Sequence, residues 1–174
     1  NRRNLITPKE LDIYIPNLDL AIECNGVYRH TTTTGGKTRD YHINKTLACR
    51  KMGIDLLHIT DCDWDMRGSA IRNMLRYRLR TSKRIDLNEC SISTTIERQK
   101  IYDFLDLYDL EGQNDYTYAV ALLYQDNIIA VMTAYDSYKG EITLSRYTVD
   151  SAYHTTGSRH MLFKQLLTVS NASE

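Results

Sequence analysis

Residues 10–24 constrain the fold more tightly than any other stretch. Glu10-Leu11-Asp12-Ile13-Tyr14-Ile15 alternates polar and apolar side chains, the period of a strand with one buried face. Pro16-Asn17 breaks the pattern as a turn does, and Leu18-Asp19-Leu20-Ala21-Ile22-Glu23-Cys24 resumes it before Asn25-Gly26. So short a link predicts an antiparallel hairpin. The polar run Thr31-Thr32-Thr33-Thr34-Gly35-Gly36-Lys37 reads as a mobile loop. Between Tyr41 and Met52, Ile43, Leu47, Ala48 and Met52 recur among basic residues, predicting an amphipathic helix that ends at Gly53. The apolar Ile54–Ile59 is then a strand, and helix, glycine, strand in that order predicts a crossover back into the sheet.

Further along, Asp65 or Ser69 is expected to cap a helix over 69–80 that buries Ile71, Met74, Leu75 and Leu79. Its other side carries Arg72, Arg76, Arg78 and Arg80, suited to a DNA backbone or to plain solvent. Thr81–Arg84 reads as a linker. Beyond it the pattern predicts a helix near 95–108, strands near 117–124, 127–135 and 140–147, and a helix over 157–168. Gln125-Asp126-Asn127 is hairpin material between two of those strands. The expectation is therefore an α/β (α+β) chain of two domains, 1–84 and 85–174.

The chain is formally neutral, with 22 Lys and Arg against 22 Asp and Glu. Cut at 84, the first part holds 16 basic against 9 acidic residues and the second 6 against 13. A basic half suits phosphates; two solvated surfaces of different composition would give the same numbers. Cys24 and Cys49 sit in apolar contexts and read as small core residues, and the four cysteines show no metal-knuckle spacing. With no long apolar run and no signal peptide, a reduced, cytoplasmic protein without a membrane span is expected.

Asp12 and Glu23 stand near the ends of the two hairpin strands, where their parity could turn both toward one face. Two carboxylates so placed suit a divalent cation, which also relieves their mutual repulsion. Phosphodiester hydrolysis uses such a cation to activate water and to neutralise developing charge. His30 and His42 flank the loop, and Lys45 follows His42 by one turn. A histidine moves protons near neutral pH, and a lysine stabilises transition-state charge.

At these residues the chain resembles a known family. Glu10–Pro16, then Ala21-Ile22-Glu23-Cys24-Asn25-Gly26-Val27-Tyr28-Arg29-His30, is similar to the core of the very-short-patch-repair endonucleases. It is closer still to phage homing endonucleases of that core, a branch of the PD-(D/E)XK superfamily. Tyr41-His42-Ile43-Asn44-Lys45-Thr46, Cys49, Gly53 and Asp61-Cys62-Asp63-Trp64 continue the match. The resemblance implies a restriction-endonuclease-like mixed sheet flanked by helices and a double-stranded DNA substrate, in the host cytoplasm for a phage protein. It implies Mg²⁺, which Mn²⁺ can replace, held by Asp12 as principal acid with Glu23 at the second acidic position. It further implies His30 as general acid or base, His42 in support, and Lys45 in place of the motif lysine, where this chain has Asn25. Arg29, Lys37, Arg39, Arg72 and Arg76 are the expected DNA contacts. Arg29 replaces an aromatic residue that is common before the histidine, and no counterpart of an upstream acid is seen. Glu10 is expected to flank or support the site.

The second part resembles acetyltransferases of the GNAT type. The cues are Ala121-Leu122-Leu123-Tyr124, Ile129-Ala130-Val131-Met132-Thr133, Leu144-Ser145-Arg146-Tyr147 and Gly157-Ser158 before a helix. Such a helix start would hold a pyrophosphate through backbone N–H groups. Only Gly157 and Ser158 stand for the family's richer glycine loop, and no general base is evident, so a smaller binding or targeting module is expected.

Overall fold

The computed structural model describes residues 10–26, 39–137 and 141–171. Their contacts divide the chain into two compact units, Asn1–Gly68 and Ser69–Glu174. Both combine helices with sheet, so the chain is of the α+β class.

In the first unit, β1 (Ile13–Ile15) and β2 (Leu20–Asn25) form the expected hairpin, with Ile13 opposite Ile22 and Ile15 opposite Leu20. One 3-10 turn, Pro16–Leu18, joins them. Proline presets the backbone angle at its start, and Asp19 closes it in the left-handed region at φ 46°. Helix α1 (Arg39–Lys51) stops at Gly53, whose φ of 73° is one that glycine adopts without steric cost. Gly53 N donates to Arg50 O and Ile54 N to Cys49 O, so the last carbonyls of the helix are paired before the chain turns into β3 (Asp55–Thr60). β3 runs parallel to β2, completing the predicted crossover in a sheet ordered β1-β2-β3.

The buried side of α1 is not the one that its apolar residues mark. Ile43, Leu47 and Met52 are exposed, whereas Lys45 and Cys49 are buried. Cys49 packs with Ala21, Ile54 and Leu56, with Tyr14 and Ala48 at the edge. A charge inside the core displaces the expected stripe, and the reason lies in what Lys45 reaches. Cys49 is the small core residue expected; Cys24 is not, being exposed.

Helix α2 (Asp61–Arg78) joins an unexpected first segment, across a kink, to the helix expected from 69, and neither Asp65 nor Ser69 caps its start. Thr60 does, in a reciprocal pair: Asp63 N donates to Thr60 Oγ1, and Thr60 N donates to Asp63 Oδ2. A non-helical Arg67 (φ −133°, ψ 25°) kinks the helix just before Gly68-Ser69, a pair that favours such bends. The division between the units falls there, not at 84. Within the second unit, Asn73 explains why. Its Nδ2 donates to Tyr108 O (3.1 Å) and Val149 O (2.8 Å), and its Oδ1 accepts from Ser151 N (2.7 Å). Polar Asn73 on an otherwise apolar face gave no sign of this in sequence.

Moving the boundary removes the charge asymmetry. Asn1–Gly68 holds 10 basic and 9 acidic residues, and Ser69–Glu174 holds 12 and 13. The basic surplus lies in 69–84, within the second unit.

That unit is a four-stranded antiparallel sheet between two helices. β4 (Lys83–Arg84), in the stretch read as a linker, pairs parallel with β9 (Tyr153–His154). β5 (Cys90–Ser93), β6 (Tyr118–Tyr124), β7 (Asn127–Asp136) and β8 (Ile142–Val149) form the main sheet in that order. α3 (Arg98–Tyr108) packs Ile101, Phe104 and Leu105 on Ala121 and Val131. α4 (Ser158–Asn171) packs Leu162 and Leu166 against the cluster of Val120, Leu122, Ala130 and Met132. Alternate residues of β6 and β7 thus feed opposite cores, as a sheet covered on both faces requires. Gln125 and Asp126, both at positive φ, make the hairpin turn. Among the described residues no helix is long and apolar enough to cross a membrane.

Candidate active site

The hairpin register decides where the two carboxylates meet. Ile13 lies opposite Ile22, and Asp12, just outside β1, accepts the Cys24 N–H, so Asp12 and Glu23 stand at the same end of the hairpin. On the other side of β2, Glu23 lies beside His58 of β3. Glu23 and His58 therefore form a row on the sheet face toward Lys45 of α1, with Asp12 beside it just outside β1.

Each of the three is held differently. Asp12 is exposed, and its Oδ2 accepts the Cys24 backbone N–H at 2.8 Å, which fixes the carboxylate at the mouth of the hairpin. Glu23 is 6% exposed and Lys45 only 1%. Lys45 Nζ donates to Glu23 Oε1 and to the Glu10 carbonyl. Glu10, expected to flank the site, thus contributes its backbone. A buried ammonium is tolerated only with such partners, so Lys45 and Glu23 account for each other's burial. Glu23 Oε2 is buried with no hydrogen-bond partner among the described residues.

His58 was not singled out by sequence, where 54–59 reads as a plain apolar strand. Its inward position in register with Glu23 was the available signal. The ring links three elements. Thr46 Oγ1 donates to the His42 carbonyl (3.0 Å) and stands 2.9 Å from His58 Nε2. A hydroxyl has one hydrogen, so here it accepts from Nε2–H. Nδ1 of the neutral ring is then an acceptor, and Asn25 Nδ2 donates to it at 3.1 Å. Burial pushes the imidazole pKa down, with Lys45 adding to the effect and Glu23 opposing it, which agrees with a neutral ring.

His42 lies half-buried on α1, its ring edge-on to His58 at 5.5 Å. Cys24 borders the two carboxylates. Desolvation, then Asp12 and Glu23, raise its thiol pKa. Desolvation also raises Cys49, against the pull of Lys45.

The structure thus brings together Asp12, Glu23, Lys45 and His42, with His58, Thr46 and Asn25 as additions. His30, Arg29, Lys37 and the 31–37 loop lie outside the described residues, and Arg39 opens α1. Arg72 and Arg76 belong to the second unit. There Arg72 donates to Ser69 Oγ, and Arg76 lies 3.9 Å from Asp150. Among the described residues no group of three or more His, Cys, Asp and Glu forms a metal cluster. Comparison with protein-family models, with curated proteins and with solved structures finds no match for this chain.

Proposed function

We propose that the chain is a Mg²⁺-dependent endonuclease that hydrolyses phosphodiester bonds of double-stranded DNA, with a restriction-endonuclease-like first unit. The observation that carries this reading is the placement of Asp12 and Glu23 at one end of the hairpin, on either side of Cys24, with Glu23 Oε2 buried and unpartnered among the described residues. Mg²⁺ binds through one or two carboxylates and fills its other positions with water and phosphate oxygens, so a cluster of three acids is not needed. Oxygen-only donors from Asp12 and Glu23 fit such a hard cation. When bound, it supplies an activated water and neutralises charge on the phosphate.

The other residues support those two. Lys45 fixes Glu23 from α1, in place of a lysine at Asn25. Asp12, anchored on Cys24 N, keeps one carboxylate at the solvent edge where a phosphate arrives. His30 is the proposed general acid or base, with His42 in support. The phosphate contacts are Arg29, Lys37, Arg39, Arg72 and Arg76. We assign the second unit to binding or targeting, as a GNAT-like module whose 69–84 segment carries the basic surplus. The proposed setting is the cytoplasm of a phage-infected cell.

The test is cleavage of supercoiled plasmid with Mg²⁺ or Mn²⁺. The parent chain nicks or linearises it, and Asp12→Ala, still folded by circular dichroism, does so at least about a hundredfold more slowly. Equal cleavage by Asp12→Ala defeats the proposal.

A second reading rests on one observation: Lys45 already neutralises Glu23. It makes the unit a DNA- or protein-binding module that keeps the nuclease fold. Calorimetry showing DNA binding without divalent-cation binding selects it. An acyl-CoA transferase activity in the second unit is excluded if acetyl-CoA produces no thermal shift.

A further inference from the structure

A cavity of about 290 Å³ opens at the C-terminal ends of β2 and β3, lined by Asn25, Ile59, Thr60, Asp61, Trp64 and Asp65 among others. The hydrolysis proposed above does not use it. Its size is near the lower end for small-molecule pockets, enough for one planar ring system. Trp64 is 42% exposed and offers that ring an aromatic face.

Apart from the Trp64 indole N–H and the Cys24 thiol, the polar side chains of the wall offer hydrogen-bond acceptors. Asp61 and Asp65 are carboxylates. Thr60 has committed its hydroxyl hydrogen to Asp63 Oδ2 at 2.6 Å. Asn25 could face a ligand with either end of its amide, and the relay through His58 decides which. Thr46 donates to the His42 carbonyl, His58 Nε2–H donates to Thr46, and Asn25 Nδ2 donates to His58 Nδ1. The amide nitrogen is thereby directed to His58, and Oδ1 is left for the cavity.

We propose that this cavity binds a nucleobase carrying an exocyclic amine, adenine, cytosine or guanine, stacked on Trp64 with its amine directed at the oxygens of Asn25, Asp61 and Asp65. Carboxylates accept from such amines, and an extruded or single-stranded base is read through its pairing edge while stacked on an aromatic ring. Thymine has no exocyclic amine and sets its one N–H between two carbonyl oxygens that the same wall repels, so it is disfavoured; phosphate is repelled by the carboxylates. His58 is a positioning residue here, acting through Asn25. The inference rests on the nucleic-acid reading above.

Trp64 is the chain's one tryptophan, so its fluorescence reports this cavity directly. The intact chain is titrated, without metal, with short single-stranded homopolymers of dA, dC and dT. Expected is quenching that saturates about tenfold or more tighter for dA and dC than for dT, the scale of one good polar base contact. Asn25→Ala and His58→Leu bring all three toward the dT value. Should His58→Leu fail to fold, Asn25→Ala and Asp65→Ala, the latter at an exposed position, make the same test. Equal quenching by the three polymers, unchanged fluorescence, or full discrimination in Asn25→Ala overturns the proposal. Because no metal is present, the outcome is separate from cleavage. A chain that discriminates bases but never cuts defeats only the nuclease reading, and one that cuts without quenching defeats only this one.

Discussion

Lys45 of α1 and Glu23 of β2 form an ion pair from which water is almost excluded, with the lysine nitrogen held additionally by the Glu10 carbonyl. The pair is the physical centre of the first unit. It explains why α1 buries a lysine while Ile43 and Leu47 face solvent.

Breaking that pair leaves one charge buried alone. Lys45→Ala or Glu23→Ala is expected to cost about 3–5 kcal/mol in urea unfolding, whereas Lys45→Met with Glu23→Gln costs much less than the sum of the separate changes. Additive losses around the double-mutant cycle contradict the pairing.

The Cys24 thiol offers a readout of the two carboxylates that needs no substrate. Desolvation, then Asp12 and Glu23, raise its pKa, so its alkylation at pH 8 is slow for an exposed cysteine. A cation held by Asp12 and Glu23 cancels their contribution and lowers the thiol pKa. Mg²⁺ is therefore expected to accelerate alkylation of Cys24 relative to Cys62, by mass spectrometry, in the parent but not in Asp12→Asn. No change with Mg²⁺ argues against the site.

His58 predicts a pH dependence of stability. Burial lowers its pKa in the folded state, so on acidification the unfolded chain takes up the proton first. The contribution is complete above the unfolded value of about 6.5 and is lost as pH falls from there toward the lower folded value. Melting temperature should fall more steeply between pH 7 and 5 in the parent than in His58→Gln. Parallel curves refute this role.

Asn73 sets the boundary. Asn73→Ala removes three hydrogen bonds and leaves backbone groups unpaired, an expected loss of about 2–4 kcal/mol. A fragment of 69–174 is expected to unfold cooperatively and one of 85–174 not to; the reverse result restores a boundary at 84.

The sequence made the hairpin, the crossover and the antiparallel sheet of the second unit legible, because each rests on periodicity and turn chemistry within a short span. Asp12 and Glu23 were legible for the same reason, since hairpin register is local. What escaped depended on distant partners. Lys45 was legible as a site residue but its burial was not, because the carboxylate that stabilises it lies on another element. Asn73 binds backbone 35 and more positions away, and His58 gains meaning only through the parallel register with β2. The 69–84 segment misled through its charge, which appeared to belong to the first domain until its contacts assigned it to the second.

The central claim is that Asp12 and Glu23 hold a divalent cation. Anomalous diffraction from crystals soaked in Mn²⁺ tests it most directly. Expected is a peak bonded to carboxylate oxygens of both residues, with Lys45 still on Glu23 Oε1. Fully occupied manganese elsewhere, with no anomalous density between Asp12 and Glu23, contradicts it.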